Sequence, residues 1–182
     1  FLIKATDPMG YTESYTHNSR GTVLTFTDKN GTLFEYTYNG APWLLSKTAT
    51  GTDGTEQTIT YAYDCLGNIT QMVDENGSTL YTYDRSGNVL TETRGSLVKE
   101  YAYDANGNRI NADISDGTFE QSLAYIYDAN NRLTKVTDEN GYTRYTYDAN
   151  NRVLTKKSYN SDASAVRAYS VYTYLDSGLL NT

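Results

Sequence analysis

The sequence YTYDRSGN at residues 81–88 decides the fold, because closely similar sequences recur along the chain. Related copies begin 20 residues earlier at Tyr61 and 20 residues later at Tyr101. Two more copies begin at Tyr125 and Tyr145, again 20 residues apart. A fixed period of this length indicates a repeat architecture in which each repeat is one supersecondary unit.

Each copy contains two tyrosines separated by one residue, an aspartate after the second tyrosine, and a glycine or asparagine three residues later. The motif residues are Tyr61, Tyr63, Asp64, Gly67, Tyr81, Tyr83, Asp84, Gly87, Tyr101, Tyr103, Asp104, Gly107, Tyr125, Tyr127, Asp128, Asn131, Tyr145, Tyr147, Asp148 and Asn151. Weaker copies begin near Tyr15, Tyr36 and Tyr172. We therefore expect a single array of about eight repeats over residues 1–182, and interpret it as a fragment of a longer protein.

The aspartate and glycine of each copy predict a tight turn. An aspartate at the first turn position can accept a hydrogen bond from the backbone two residues later. A glycine three residues after it suits a type I turn that ends in a left-handed residue. Asn131 and Asn151 replace this glycine, and asparagine tolerates positive φ better than other residues with a side chain. Similar turn sequences between the copies, at 7–10, 28–31, 74–77 and 138–141, place a turn about every ten residues.

The segments between turns are rich in tyrosine and threonine, which favour β-strands. Tyr81 and Tyr83 lie two residues apart, so both project from the same face of a strand. Strands joined by tight turns are antiparallel neighbours. The sequence therefore predicts an all-β protein, an antiparallel hairpin meander of about sixteen strands. Because twist makes wide sheets curl, we expect the sheet to form a curved strip.

Composition excludes several functional classes. The net charge of −7 argues against binding to nucleic acid or to an anionic membrane. No apolar stretch is long enough to span a bilayer, so we expect no membrane insertion. One cysteine, Cys65, and one histidine, His17, do not indicate a metal site or a Cys-His dyad.

The repeated aspartates could be read as acid-base catalysts, but an active site needs each group in its own asymmetric environment. Equivalent aspartates in equivalent turns favour a structural role, so we predict no enzyme activity, no catalytic residue and no cofactor. The turns at 74–77 and 138–141 lack the glutamate that ends an EF-hand calcium loop, and we interpret them as plain turns without a metal. Tyrosine rings could also bind carbohydrate, although packing between neighbouring strands is the simpler interpretation.

The Tyr-x-Tyr-Asp-x-x-Gly-Asn pattern, with its period of about 20 residues, resembles the YD or Rhs repeats. Such repeats occur in bacterial Rhs-type polymorphic toxins, in the C components of insecticidal toxin complexes and in teneurins. The resemblance covers almost the whole chain. In those families the repeats form a spiralling β-strip that closes into a hollow shell. The resemblance thus implies that this chain is part of a YD shell.

The same resemblance implies a function. The bacterial shells enclose a C-terminal toxin, whereas teneurin shells belong to cell-surface adhesion receptors. We therefore expect a structural module of a larger secreted or surface protein, whose partner is the C-terminal effector domain that the shell encloses or presents. The alternative is an adhesion or carbohydrate-binding module whose partner is a surface glycan or protein.

The two outer strands of the strip would each have an exposed edge. They would lie near residues 6–15 and 169–180. Exposed strand edges pair readily with other strands. We therefore expect edge-mediated self-association, or edges that are covered by the terminal residues.

Overall fold

The computed structural model describes residues 1–162, 166–175 and 180, and these residues form strands, turns and irregular segments without a helix. The described residues contain sixteen strands, whose order in the sheet is their order along the chain. Every described strand pair is antiparallel. The predicted all-β antiparallel meander is thus confirmed. The final part of the repeat that begins near Tyr172, at 176–179, lies outside the described residues.

The chain divides into two compact units, Phe1–Thr82 and Tyr83–Thr182. The strands of the first unit are β1 Lys4–Thr6, β2 Thr12–His17, β3 Val23–Thr27, β4 Leu33–Tyr38, β5 Leu44–Thr50, β6 Glu56–Tyr63, β7 Ile69–Asp74 and β8 Gly77–Tyr83, whose last residue begins the second unit. The strands of the second unit are β9 Val89–Arg94, β10 Leu97–Tyr103, β11 Arg109–Ser115, β12 Glu120–Tyr127, β13 Leu133–Asp138, β14 Gly141–Tyr147, β15 Val153–Asn160 and β16 Val166–Val171.

Two kinds of turn alternate along each unit. The turn between β7 and β8 is tight, because Asp74 pairs with Gly77 and only two residues lie between them. The turn that follows a Tyr-x-Tyr-Asp segment is longer, and the strand register shifts at the second tyrosine. This shift falls at Tyr63 in the first unit and at Tyr103, Tyr127 and Tyr147 in the second. Each shift is a β-bulge, which increases the local twist of the strand.

The paired tyrosines share one face of their strand, as the alternation of a strand requires. Tyr61 and Tyr63 are half-buried, whereas Ala62 between them is exposed. In the second unit the same pattern holds for Tyr145 and Tyr147, on either side of the exposed Thr146. We call the face that carries these tyrosine pairs the tyrosine face of each unit.

Deep burial is rare in this fold. Ala112 and Thr79 each expose only 3% of their surface, but most described side chains on the strands are half-buried or exposed. Within each unit, the described contacts between strands join consecutive strands. Stability must therefore come mainly from cross-strand side-chain pairs and from contacts between successive hairpins.

In the part of the chain that the structure describes, no helix has the length and apolar character that crossing a membrane requires. Strand β1 pairs with β2, and strand β16 pairs with β15. Both strands lie at the ends of the strand order. The expectation that such edges mediate self-association stays a prediction.

Candidate functional site

The turn after each Tyr-x-Tyr-Asp segment is held by its aspartate. In the first unit, Asp64 Oδ1 accepts hydrogen bonds from the backbone N–H groups of Leu66 and Asn68, both at 2.9 Å. Asp64 Oδ2 accepts a third hydrogen bond from Asn68 Nδ2 at 2.8 Å. Gly67 closes the turn with a φ of 91°, in the left-handed region that glycine adopts without a Cβ clash.

Four aspartates of the second unit make the same two backbone contacts through Oδ1, with donors two and four residues later. They are Asp84, Asp104, Asp128 and Asp148. These hydrogen bonds favour the charged carboxylate, so the pKa of all five aspartates lies below its ordinary value. The main cause is the side-chain amide of the following asparagine in the first three, and the backbone N–H of the following arginine in the last two.

Asn131 and Asn151 stand where the other copies have glycine, and their φ angles are 59° and 65°. Among the described residues, they alone combine a side chain with positive φ. Asn131 Oδ1 accepts hydrogen bonds from Asn106 Nδ2 at 3.1 Å and from Asn108 Nδ2 at 2.9 Å. Asn151 Oδ1 accepts one from Arg132 Nη1 at 2.9 Å. Each asparagine thus links its own turn to the turn of the preceding repeat.

The second tyrosine of a repeat forms another link to the preceding repeat. Its hydroxyl donates a hydrogen bond to the carbonyl oxygen of the first residue in the strand that follows the preceding turn. The pairs are Tyr63 with Leu44 at 2.7 Å, Tyr127 with Arg109 at 3.0 Å, Tyr147 with Leu133 at 2.6 Å and Tyr174 with Val153 at 2.8 Å. We call these four contacts the tyrosine clamps.

In three clamps the tyrosine ring is covered by the side chain directly before the accepting residue. The centre of the Trp43 ring system lies 5.3 Å from the Tyr63 ring centre. The guanidinium carbons of Arg132 and Arg152 lie 4.8 Å and 4.4 Å from the ring centres of Tyr147 and Tyr174. A cation over a tyrosine ring is attracted by the ring electrons, so two of these clamps combine a hydrogen bond with a cation–π contact.

The first tyrosines pack in a different way. The Arg109 guanidinium carbon lies 5.3 Å from the ring centre of Tyr101 and 5.4 Å from that of Tyr125. Tyr101 and Tyr125 begin successive repeats, so Arg109 bridges one repeat to the next. These contacts support the interpretation that the tyrosines pack within the sheet.

Burial affects the clamp hydroxyls. Desolvation raises the pKa of Tyr63, Tyr127 and Tyr147 above the ordinary value for a phenol. A tyrosine with its ordinary pKa of about 10 is already protonated at neutral pH, and a raised pKa extends this hydrogen-bond-donating form to more alkaline pH. The clamp contact therefore persists over the physiological pH range.

The turns, the tyrosine clamps and the cation–π contacts together connect successive hairpins. The aspartates already accept several hydrogen bonds. The motif residues of one repeat also have the same environment as the motif residues of the next. Among the described residues, no group of three or more His, Cys, Asp or Glu side chains is placed to hold a metal ion. Cys65 is exposed, and the His17 ring stacks 5.4 Å from Phe1.

The sequence motif includes the turn aspartates and the clamp tyrosines Tyr63, Tyr127 and Tyr147, but it omits the residues that the clamp tyrosines contact. The covering side chains Trp43, Arg132 and Arg152 were not among the predicted site residues. All three occupy the position directly before the returning strand, where the copies that begin at Tyr61, Tyr81 and Tyr101 have asparagine. A recurring side chain at that repeat position is the sequence signal that could have found them.

Comparison with known protein families supports the repeat assignment. The family described as RHS Repeat matches residues 63–97 and 127–163. Each matched segment starts at a clamp tyrosine and continues through the next turn and hairpin. No curated protein sequence matches the chain.

Several solved structures share the fold. A segment of TcdB2-TccC3-Cdc42 is similar at 20% identity with a TM-score of 0.76, covering 91% of this chain and 10% of that chain. A segment of TcdB2-TccC3-TEV is similar at 16% identity with a TM-score of 0.64, covering 98% and 12%. The Photorhabdus luminescens Tc holotoxin pore with the TccC3-D651A mutation is similar at 19% identity with a TM-score of 0.51, covering 93% and 9%. The RHS Repeat match over these two segments and the recurring hairpin geometry together support the resemblance of the chain to the YD/Rhs repeats.

Proposed function

We propose that the chain is a wall segment of a β-strip shell that encloses or presents a C-terminal effector in a larger secreted or surface protein. The recurring tyrosine clamp is the observation that carries this proposal. Each clamp joins one hairpin to the next in the same way, so an array can grow by adding repeats. A wall needs this property, whereas an active site needs a single asymmetric set of groups.

The size of the solved relatives supports a role as one part of a larger assembly. The chain spans about a tenth of the length of the Tc toxin chains to which it is similar, between 9% and 12%. We propose that its repeats act as one array within a similarly long parent protein. The effector and the secreted or surface location belong to that parent.

Protection of the C-terminal segment from protease tests enclosure. The parent protein and its isolated C-terminal segment would be digested side by side, and the surviving segment followed by mass spectrometry. We expect the segment to survive much longer within the parent. Equal rates of cleavage in the two samples would contradict enclosure.

Two sets of parent variants distinguish the effect of losing the clamp hydrogen bonds from the effect of losing tyrosine hydroxyls in general. Changing Tyr63, Tyr127 and Tyr147 to Phe removes three clamp hydrogen bonds. The matched control changes the first tyrosines Tyr61, Tyr125 and Tyr145 to Phe. If the clamps hold the wall together, the clamp variant exposes the segment to protease sooner than the control does.

Binding of a surface glycan or protein is a second candidate function. It is favoured by tyrosines that lie outside the clamps and remain exposed, since Tyr11 and Tyr169 expose 53% and 55% of their surface. Exposed aromatic rings are common in binding surfaces because they combine an apolar body with a polar end. A glycan array would test it: binding that is lost in Tyr11→Ala or Tyr169→Ala supports this function, and an array without binding rejects glycan recognition.

A further inference from the structure

A row of three cations crosses the second unit on the face opposite the tyrosine face. Lys135 pairs directly with Arg144, and Arg144 pairs directly with Lys157, on strands β13, β14 and β15. Directly paired residues project from the same face, so the three positive side chains are neighbours. Like charges in this arrangement repel each other and destabilise the sheet. We call these residues the cation row.

No carboxylate compensates the cation row within the unit. Among the described residues, none of the three cations lies within 4.0 Å of a carboxylate oxygen. Their described contacts are with aromatic rings: Lys135 Nζ lies 4.6 Å from the ring centre of Tyr142, and Lys157 Nζ lies 4.5 Å from that of Tyr169. Aromatic rings attract cations but do not cancel their charge. The row therefore remains a site of uncompensated positive charge.

An acidic groove lies on the same face, across strands β10 to β12. Glu100 pairs with Asp113, and Glu120 pairs with Ser115, which lies two residues after Asp113 on the same strand face. These three carboxylates line an open cavity of about 590 Å³. Within the described residues, none of the three forms an ion pair.

Ile126 separates the two charged areas. It lies on strand β12, beside Lys135 of the cation row, and exposes 52% of its surface. Ala124, two residues earlier on the same face, lines the acidic groove. Along the strand order, this face carries the three carboxylates on β10 to β12, the apolar Ile126 on β12, and the cation row on β13 to β15. Asp138 and Glu139, at the end of β13, also line the acidic groove.

We propose that this face binds the same face of a second copy of the chain, related by a two-fold axis near Ile126. A two-fold axis reverses the order of the charged areas, so the acidic groove of each copy faces the cation row of its partner. The two Ile126 side chains then meet at the axis and bury each other. Such self-complementarity is the property that a two-fold interface requires.

The distribution of charge favours a second copy over an unrelated polyanion. A polyanion would neutralise Lys135, Arg144 and Lys157, but it would be repelled by Glu100 and Glu120 on the same face. The chain itself carries a net charge of −7, so a free anionic polymer meets long-range repulsion. A two-fold copy brings carboxylates to the cations and cations to the carboxylates at once.

A charge-exchange experiment on the full 182-residue chain tests the interface. One variant carries Arg144→Glu and Lys157→Glu, and a second carries Glu100→Lys and Glu120→Lys. Each variant alone faces like charges across the interface, so we expect its dimer dissociation constant to rise at least about tenfold. An equimolar mixture restores opposite charges in both groove-row contacts of the mixed dimer, and we expect it to recover a dimer. Sedimentation equilibrium measures the association, and circular dichroism confirms that both variants fold.

The matched control is Lys156→Glu. Lys156 neighbours Lys157 in sequence but pairs with Tyr145 on the tyrosine face, so the control should leave the dimer unchanged. Association of the wild-type chain should also weaken as NaCl rises from about 0.05 to 0.5 M, because salt screens exposed charges.

Three results would overturn the proposal. The first is a wild-type chain that remains a monomer at low salt and high concentration. The second is a dimer that survives both charge variants but is lost when a proline is placed in strand β16, which would indicate edge pairing. The third is a monomeric mixture of the two variants, together with binding of polyglutamate by the wild-type cation row.

Discussion

The hydroxyl of Tyr147 donates a 2.6 Å hydrogen bond to the carbonyl oxygen of Leu133, which lies 14 residues earlier in the chain. Leu133 begins strand β13 and Tyr147 ends strand β14, and these strands are antiparallel neighbours. Antiparallel strands bring the start of one beside the end of the next. The contact therefore needs a tyrosine at this repeat position, since phenylalanine would fill the space without reaching the carbonyl.

Replacing Tyr147 by Phe should destabilise the second unit. The change removes one hydrogen bond to a backbone carbonyl, and we expect the free energy of unfolding to fall by about 0.5–1.5 kcal/mol. Tyr145→Phe is the matched control, because no hydrogen bond of its hydroxyl is described, and its effect should stay within about 0.5 kcal/mol. Urea denaturation measures both. Equal losses in the two variants would argue against the clamp as a source of stability.

Asn131→Ala should destabilise the turn for two reasons. Asparagine tolerates a φ of 59° because its short polar side chain can hydrogen-bond locally, and alanine lacks that side chain, so this conformation should cost up to about 1–2 kcal/mol more in the variant. The change also removes the acceptor for Asn106 and Asn108. Asn130→Ala is the control, because the described contact of Asn130 uses its backbone N–H. A urea midpoint that falls no further for Asn131→Ala than for Asn130→Ala would contradict this prediction.

Acid should weaken the array through the turn aspartates. Their folded pKa values lie below the ordinary value, so the unfolded chain binds protons more readily than the folded chain. The stabilisation they provide is present above the unfolded pKa of about 3.9 and is lost as the pH falls through the folded pKa. We therefore expect urea midpoints to change little between about pH 7 and 5 and to decline below about pH 4.

The variant Asp84→Asn tests whether the turn aspartates cause this pH dependence. Asp84→Asn keeps a side-chain oxygen that can accept from Ser86 N and Asn88 N, but it removes the titrating carboxyl. We expect the variant to be less stable than the wild type at neutral pH and to lose less stability on acidification. A midpoint that rises from pH 5 to pH 3 in the wild type would show that other groups dominate.

The turns could be predicted from sequence because their chemistry is local. Asp64, Leu66 and Asn68 lie within five consecutive residues, and their hydrogen bonds follow from residue type and spacing. The clamp could not be predicted in the same way, because Tyr63 and Leu44 are 19 residues apart. Their contact depends on the register of β5 against β6, which the spacing of the tyrosines does not determine.

The cation row also could not be predicted from the spacing of its residues in the sequence. Lys135, Arg144 and Lys157 become neighbours only through the pairing of three strands. A register slip of one residue would move any of them to the other face of the sheet. Sequence spacing therefore indicates that these residues lie on strands, but the pairing determines which charges meet.

The backbone at Gly67 lies beside the indole of Trp43. A Cβ added at Gly67 would lie 2.9 Å from Cζ2 of Trp43, whereas one added at Gly54 would meet nothing within 4 Å. Both glycines have positive φ, 91° and 82°, so alanine strains the backbone at both. The difference between Gly67→Ala and Gly54→Ala should therefore isolate the contact with Trp43.

We expect Gly67→Ala to be more destabilising than Gly54→Ala by about 1 kcal/mol, because it displaces Trp43 from its contact with the Tyr63 ring. Trp43 is the single tryptophan of the chain, so its fluorescence emission should shift in Gly67→Ala and stay unchanged in Gly54→Ala. Adding Trp43→Leu should make the two glycine variants nearly equal in stability, because the smaller side chain leaves room for the new Cβ. If the gap persists in the Trp43→Leu background, the strain arises in the backbone rather than against the indole.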